Sequence, residues 1–301
     1  MATIAEDRPA TLDITGVTVP AEAGRYRRRD RLETSLTYLA LAIGASVMAF
    51  PLVWMGLSSL KAPAEVIQFP PTWWPETIRW SNYRDAWTGA PFGRFFFNSL
   101  FISLSAAVGT VVTSLMAGYA LSHIPFRGRQ IGFGLLLATM AIPNEVTIVP
   151  AFLIMRTLGW VDTYLALIVP ALASVFGIFL MRQALSQMPR DLLEAAQLDG
   201  CGHLRYLFGI VVPLNWAAIS SLALLTFLGQ WNAYLWPLLV TNRTELRTVQ
   251  LGIRFFVDSE QGNQWGALMA ASTFVILPTL IVFLVAQRYL VRGFAFSGLK
   301  G

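Results

Sequence analysis

Long stretches without charged residues limit what this chain can fold into more than any other feature of its sequence. They run over residues 35–60, 98–122, 131–155, 163–181, 206–242 and 261–287, and Glu145 is the only charged residue inside them. A helix that crosses a bilayer needs about 20 apolar residues, and each stretch approaches or exceeds that length. Because lipid cannot satisfy unpaired backbone groups, such segments must be helical or close into a barrel. We therefore predict an all-α polytopic membrane protein with six transmembrane helices.

The composition agrees with a membrane location. Of the 301 residues, 55% are hydrophobic and only 13% are charged, and the mean hydropathy is positive. A soluble chain of this size with so few charges would lack polar surface. The stretch over 206–242 is longer than one crossing needs, so a break at Pro213 or Pro237 could divide it into a helix and a re-entrant piece.

Basic residues beside the first stretch predict its orientation. Five arginines lie close before it: Arg25, Arg27, Arg28, Arg29 and Arg31. Basic residues close to a span stay on the cytoplasmic side, where anionic lipid headgroups also attract them. We therefore expect a cytoplasmic N-terminus and, after six crossings, a cytoplasmic C-terminus. No cleavable signal peptide is expected, since no apolar run occurs in the first 30 residues.

These features divide the chain into four parts. Residues 1–34 form a cytoplasmic tail, and residues 35–97 form the first transmembrane helix and an outer loop. Residues 98–290 form a transmembrane domain of five helices with a polar loop at 189–205, and residues 291–301 form a second cytoplasmic tail.

The polar loop at 189–205 predicts a short surface helix. Pro189 suits a first helical turn, Asp191 and Glu194 place negative charge near the positive end of the helix dipole, and Gly200 supplies a left-handed stop. A helix of about eleven residues is about 16 Å long, too short to cross a bilayer. Its apolar residues would then face a partner: Leu192, Leu193, Ala196 and Leu198. The tripeptide Glu-Ala-Ala, taken alone, could also occur in an ordinary cytoplasmic connector, because a motif this short is not specific.

The same loop resembles a known sequence pattern. Glu194-Ala195-Ala196, Gly200, Ile210 and Pro213 follow the spacing of the EAA loop in permease subunits of binding-protein-dependent ABC importers, with Val212 where that family has leucine. Further segments look like permeases of the maltose and glycerol-3-phosphate kind: residues 148–150, 158–163, 179–182, 231–232 and 236–237.

This resemblance implies a fold, a function and partners. The fold would be that of a type I ABC importer permease with a cytoplasmic coupling helix, in the cytoplasmic (inner) membrane of a prokaryote. A second permease subunit, two copies of an ABC ATPase and an extracytoplasmic substrate-binding protein would complete an importer for a sugar or related polyol. ATPase-coupling residues would be Glu194, Ala195, Ala196, Asp199, Gly200 and Pro213.

No energy source or catalytic motif occurs in the sequence. The only lysines, Lys61 and Lys300, are not in a phosphate-binding loop, so we expect ATP and Mg²⁺ on the partner ATPase and no cofactor on this chain. Two histidines and one cysteine give no metal-ligand spacing, and we expect no metal site, no catalytic residues and no nucleic-acid partner. Alternatives are a channel or scaffold that is not driven by ATP, or a membrane enzyme using Glu145 or Asp162.

Two groups of residues are candidates for the substrate pathway. Amides and aromatic rings alternate at Gln230, Trp231, Asn232 and Tyr234, a mixture that can bind hydroxyls and stack on a sugar, although an aromatic belt at the membrane interface is the alternative. Asn144 and Glu145 form the second group, because a carboxylate within a span suggests function. Pro143 and Asn144 could instead begin a second helical segment whose first turn Glu145 stabilises.

Overall fold

The structure is a computed structural model that describes residues 22–257 and 264–297, with side chains for 33–257 and 264–285. It divides into two units, residues 1–54 and 55–301, which we describe separately. The first unit contains most of helix α1 (Glu22–Ser58), whose range includes the arginines assigned above to the N-terminal tail. Residues 33–58 of α1 are apolar and long enough to cross a membrane. The proposed tail ends, 1–21 and 298–301, lie outside the described residues.

The described part of the second unit is helical. Its α-helices are α2 (Pro63–Val66), α3 (Ser81–Thr88), α4 (Phe92–His123), α5 (Arg129–Thr139), α6 (Asn144–Thr157), α7 (Tyr164–Ile168), α8 (Val175–Leu185), α9 (Arg190–Leu198), α10 (His203–Tyr206), α11 (Val212–Leu214), α12 (Trp216–Trp231), α13 (Leu235–Val240), α14 (Val249–Gly252) and α15 (Trp265–Ser297). Short 3₁₀ segments cover Val169–Leu172, Thr244–Leu246 and Ile253–Phe256, and a π-helical turn covers Leu207–Val211. No strand occurs in the ranges described, which confirms the all-α prediction.

Four single segments and two bent pairs of helices are long and apolar enough to span a membrane. The single segments are Glu33–Ser58, Phe92–His123, Tyr164–Leu185 and Trp265–Val285. The pair α5 and α6 bends by 99°, and the pair formed by His203–Leu214 and α12 bends by 84°. The structure therefore supports four to six spans among the described residues, and the count of six stays a prediction.

The first bend follows from Pro143. This residue has an extended backbone (ψ 138°) and directly precedes α6, which places Glu145 in the first helical turn. Proline has no N–H to continue a helix, and it pushes the preceding residue away from helical angles. The reading in which Asn144 begins a second helical segment is thus confirmed.

The second bend lies at Asn215, close to one of the two predicted break points. Pro213, within α11, has no N–H to donate, and a π-helical turn precedes it. The side-chain amide of Asn215 donates to the carbonyl of Val211 at 2.9 Å and contacts the sulfur of Met188 at 3.1 Å. Pro237 lies in the separate short helix α13 rather than at a break within a long helix.

Helix α4 forms the centre of the second unit, where it packs against α8 and α12. The chain segment that precedes α8 is interrupted by Pro170, which cannot donate to the carbonyl of Ala166. The indole N–H of Trp236 donates to that carbonyl instead, at 2.8 Å. Thr110 and Thr113 of α4 donate to the carbonyls of Ala171 and Leu172 at 2.8 Å and 2.5 Å, beyond which α8 begins.

Glycines allow α4 and α8 to approach closely. A Cβ atom added at Gly118 would lie 2.8 Å from the Cβ of Met181 and 2.8 Å from the backbone nitrogen of Arg182. Helix packing in membranes depends on such small residues, because lipid provides no hydrophobic driving force between helices. The contact between α4 and α8 therefore requires glycine at this position.

We predict that Gly118→Val destabilises the protein by about 1–3 kcal/mol, because the added side chain overpacks the contact between α4 and α8. Thermal unfolding of the purified protein in detergent measures this effect. Gly134→Val is the matched control, since a Cβ at Gly134 meets no atom within 4 Å. Equal melting temperatures for the two variants would contradict the prediction.

Candidate coupling site and transport pathway

The predicted surface helix is present as α9, which is nine residues long rather than about eleven. Pro189 occupies the position immediately before the helix, with ψ 135°, and Asp191 lies in the first turn. At the other end Gly200 adopts φ +72°. Its N–H donates to the carbonyl of Gln197 at 3.0 Å, and the N–H of Cys201 donates to that of Ala196 at 2.8 Å. This pair of bonds is a Schellman motif, which confirms Gly200 as a left-handed stop.

Helix α9 has one face against the protein and one face exposed. Ala196 is only 5% exposed and packs in a cluster with Leu185, Tyr206 and Leu207. Leu198, in contrast, is 89% exposed. The prediction that Ala196 faces a partner is therefore wrong, because its small side chain lets α9 lie close to its own chain.

The other apolar residues of α9 differ in exposure. Leu192 is exposed, whereas Leu193 is half-buried against the same cluster. Ala195 is exposed too. The surface that α9 offers is thus formed by Leu192, Ala195 and Leu198 rather than by all its apolar residues.

Two carboxylates lie on the exposed surface of this loop. Glu194 and Asp199 are exposed, and the hydrogen bonds and ion pairs recorded among the described residues do not involve their side chains. Exposed carboxylates without an internal cation remain solvated and available to a basic partner. Pro213, the last residue of the sequence pattern, is also exposed and lies beside the second bend.

Two histidines and two tyrosines join the loop to α4, and we call Tyr119, His123, His203 and Tyr206 the aromatic junction. The hydroxyl of Tyr119 and Nδ1 of His203 are 2.8 Å apart. The Tyr119 ring stacks on His123 with centroids 4.9 Å apart, and Tyr206 is fully buried with its centroid 6.2 Å from that of Tyr119. The junction fixes the end of the loop to the end of α4.

Sequence reasoning found only part of this junction. The sequence places His203 and Tyr206 in a stretch that is expected to anchor the loop helix. It does not indicate Tyr119 as their partner, because residues 84 positions apart share no local pattern. The spacing of Tyr119 and His123, one helical turn apart, was the only available signal.

We predict that Tyr119→Phe loosens the loop at residues 199–203, because it removes the hydroxyl that bonds His203. The expected loss is about 1 kcal/mol of local stability. Hydrogen exchange followed by mass spectrometry measures the protection of this loop directly.

Tyr38→Phe serves as the control, since Tyr38 is exposed and lies on α1. Unchanged exchange rates at residues 199–203 in Tyr119→Phe would show that the hydrogen bond does not restrain the loop.

The candidate pathway residues near the end of α12 occupy different environments. Trp231 is only 1% exposed and its indole donates to the carbonyl of Val275 at 3.1 Å, so in this conformation it offers no surface to a solute. Asn232 and Tyr234 are exposed, and Gln230 is half-buried. The oxygen of Asn232 accepts a bond from Gln250 at 3.2 Å. A pathway role for these residues stays a prediction.

The second candidate group lies on a different helix from the first. Asn144 and Glu145 are exposed in the first turn of α6. Trp236, which follows the first group, packs with Phe152 and Met155 further along the same helix. Because a carboxylate in lipid is costly, we still expect Glu145 to face water or a partner subunit.

Asp162 fixes a connection between two loops at the other end of the second unit. Its backbone lies in the left-handed region, at φ 59°. The carboxylate accepts bonds from the backbone N–H groups of Asn242 at 2.6 Å and Arg243 at 2.9 Å. Burial by itself would raise the pKa of Asp162, but these two bonds, the Asn242 side chain and the Arg243 charge together lower the pKa below that of a free aspartate.

We predict that the protein loses stability in acid partly through Asp162. Because its folded pKa is below the unfolded value, the stabilisation is complete above about pH 4 and is lost as the pH falls through the folded pKa. Asp162→Asn should flatten this part of the curve of unfolding temperature against pH. Glu76→Gln, an exposed carboxylate in another loop, is the control. Identical acid profiles for Asp162→Asn and the unmodified protein would contradict the prediction.

The helical spans, together with the exposed loop helix α9, indicate a multi-pass membrane protein. Its sequence matches the family described as binding-protein-dependent transport system inner membrane component over residues 109–296. The chain belongs to this family.

Relatives of this chain are transport permeases. Permease protein UgpE of the sn-glycerol-3-phosphate transport system from Yersinia enterocolitica is 34% identical over 263 residues, covering 85% of this chain and 94% of that protein. UgpE from Pectobacterium atrosepticum is 35% identical over 264 residues, with the same shares of each chain.

A solved structure shares the fold. A chain in the crystal structure of a bacterial ABC transporter involved in the import of the acidic polysaccharide alginate superposes with a TM-score of 0.78 and 25% identity. The match covers 87% of this chain and 98% of that one. The protein is thus an ABC importer permease with the type I fold, as the sequence predicted, and its family implies a binding protein, an ATPase and a second permease as partners.

Proposed function

We propose that this chain is one of two different permeases in an importer for a small polyol or sugar, and that its cargo includes polyols carrying a phosphate. The support is the similarity to permeases named for sn-glycerol-3-phosphate transport, which extends over 85% of this chain. The pathway opens alternately to the two sides of the membrane, and the cargo favours one of the two packings.

In this proposal both termini and the α9 loop face the cytoplasm. The arginines at 25–31 support the orientation, since basic residues beside a span are retained there. Two copies of an ABC ATPase bind ATP and Mg²⁺ on that side, and a binding protein delivers cargo on the other. This chain binds neither nucleotide nor metal in the proposal.

The observation that carries the proposal is the division of α9 into a fixed face and a free face. Ala196 is buried against the chain's own core, while Leu198, Glu194 and Asp199 are exposed. The aromatic junction bonds the end of this loop to α4 through Tyr119 and His203. A helix anchored on one face can transmit a displacement applied to the other, because the packed interior does not deform continuously.

We predict that Glu194→Lys and Gly200→Pro each reduce cargo uptake at least tenfold while the transporter still assembles. Glu194→Lys reverses the charge offered to the ATPase. Gly200→Pro removes the N–H that bonds Gln197 and forbids the φ of +72°. Reconstituted transporter in liposomes gives both readouts, uptake and the stimulation of ATP hydrolysis by cargo-loaded binding protein.

Glu76→Lys is the matched control, because it makes the same charge reversal at an exposed residue in the loop that follows α1. Co-purification of the ATPase and second permease with the tagged chain checks assembly. Normal uptake by both loop variants would refute the coupling role of α9, and absence of any co-purifying ATPase would refute the importer itself.

A further inference from the structure

A pocket with two arginines lies among the short helices that connect α12 to α15. It has a volume of about 280 Å³, and its lining consists of Leu238, Thr241, Arg247, Leu251, Arg254 and Phe255. Only 13% of the residues in this chain are charged, so two arginines in one pocket suggest that the pocket binds a ligand.

The two arginines of the pocket differ from their neighbours in what they bind. Nearby Arg243 pairs with Glu245 at 3.7 Å, and Arg94 donates to the carbonyl of Glu245 at 3.2 Å. Among the residues that the structure describes, no carboxylate pairs with Arg247 or Arg254. Both guanidinium groups therefore retain their capacity to bind an anion.

The loop that carries Arg247 is held firmly in place. Asn98 of α4 is fully buried and donates to the carbonyl of Arg247 at 2.9 Å and to that of Glu245 at 2.8 Å. The next residue of α4, Ser99, accepts a bond from the backbone N–H of Val249 at 2.9 Å. These bonds already hold the loop in one conformation. A ligand therefore does not have to order the loop when it binds, and this favours binding.

An aromatic ring orients the guanidinium of Arg247. The guanidinium carbon lies 5.4 Å from the centroid of Phe255, within the range of a cation–π contact. Phe255 in turn packs against Phe95 of α4, with centroids 5.7 Å apart. Leu251 and Thr241 are buried and form the remaining wall. Arg247 is half-buried and held between these groups, whereas Arg254 is exposed at the edge of the pocket.

The size and charge of the pocket select a class of ligand. Guanidinium groups bind phosphate and carboxylate through paired N–H donors. A volume of about 280 Å³ is enough to admit a small molecule.

We propose that this pocket binds the anionic group of a small phosphorylated or carboxylated polyol, with Arg247 and Arg254 as its charge-binding residues. The inference rests on the proposed import function and assigns the pocket to the cargo on its way from the binding protein into the pathway. Arg247 and Arg254 are then specificity determinants that distinguish an anionic polyol from a neutral one.

The test measures direct binding of radiolabelled sn-glycerol 3-phosphate to the complete transporter in lipid nanodiscs, without ATP and without binding protein. Arg247→Gln and Arg254→Gln should each weaken binding about tenfold, the loss expected for one charged hydrogen-bonding partner. Inorganic phosphate should compete and uncharged glycerol should not. Arg247→Lys should retain part of the affinity, since it keeps the charge.

Arg243→Gln is the matched control, because this exposed arginine of the same loop lies outside the pocket. Wild-type affinity in the double variant Arg247→Gln/Arg254→Gln, or absence of probe binding to the unmodified transporter, would overturn the proposal. So would variants that bind the probe normally but need more binding protein for half-maximal ATP hydrolysis, since the arginines would then form a docking surface for that protein.

The failure of the import function is a separate result. It would appear as a transporter whose ATP hydrolysis does not respond to loaded binding protein even without any substitution. Probe binding does not depend on ATP hydrolysis, so the two proposals can be judged independently.

Discussion

The requirement to pair every backbone polar group without help from lipid governs this structure. A straight helix satisfies it locally, but this chain interrupts its spans at prolines and must supply donors from elsewhere. At Pro170 the donor for Ala166 comes from Trp236, and Thr110 and Thr113 of α4 serve the next free carbonyls. The interruption at Pro170 therefore ties this segment to α4 and α13, and irregular backbone becomes a source of tertiary contacts.

Hydrogen bonds to backbone groups also hold the loops at both ends of the second unit in place. Gly200 closes α9 with two backbone bonds, and Asp162 binds two N–H groups of a distant loop. Asn98 donates to two backbone carbonyls of the loop that carries Arg247. Loops fixed in this way move with the helices to which they are bonded, which is what transmission of a displacement requires.

Helix α4 links the two sites discussed above. Asn98 and Ser99 near its start hold the arginine pocket, and Tyr119 and His123 at its end belong to the aromatic junction. Asn98 and Tyr119 are about 32 Å apart along a helix that rises about 1.5 Å per residue, close to the thickness of the bilayer core. One rigid helix thus connects the proposed ATPase side to the proposed cargo side.

The sequence by itself determined the helical membrane class, the short loop helix and its stop at Gly200, because these depend on composition, on proline and on glycine. It offered the helix start at Asn144 as one of two alternatives, and the structure chose between them. It also indicated the importer family through the spacing from Glu194 to Pro213. Only the tertiary structure decided that Ala196 faces inward, that Trp231 is buried, and that Tyr119 meets His203 while Arg247 and Arg254 share a pocket. Such contacts join residues far apart in the chain, and no local pattern encodes which faces of the helices meet.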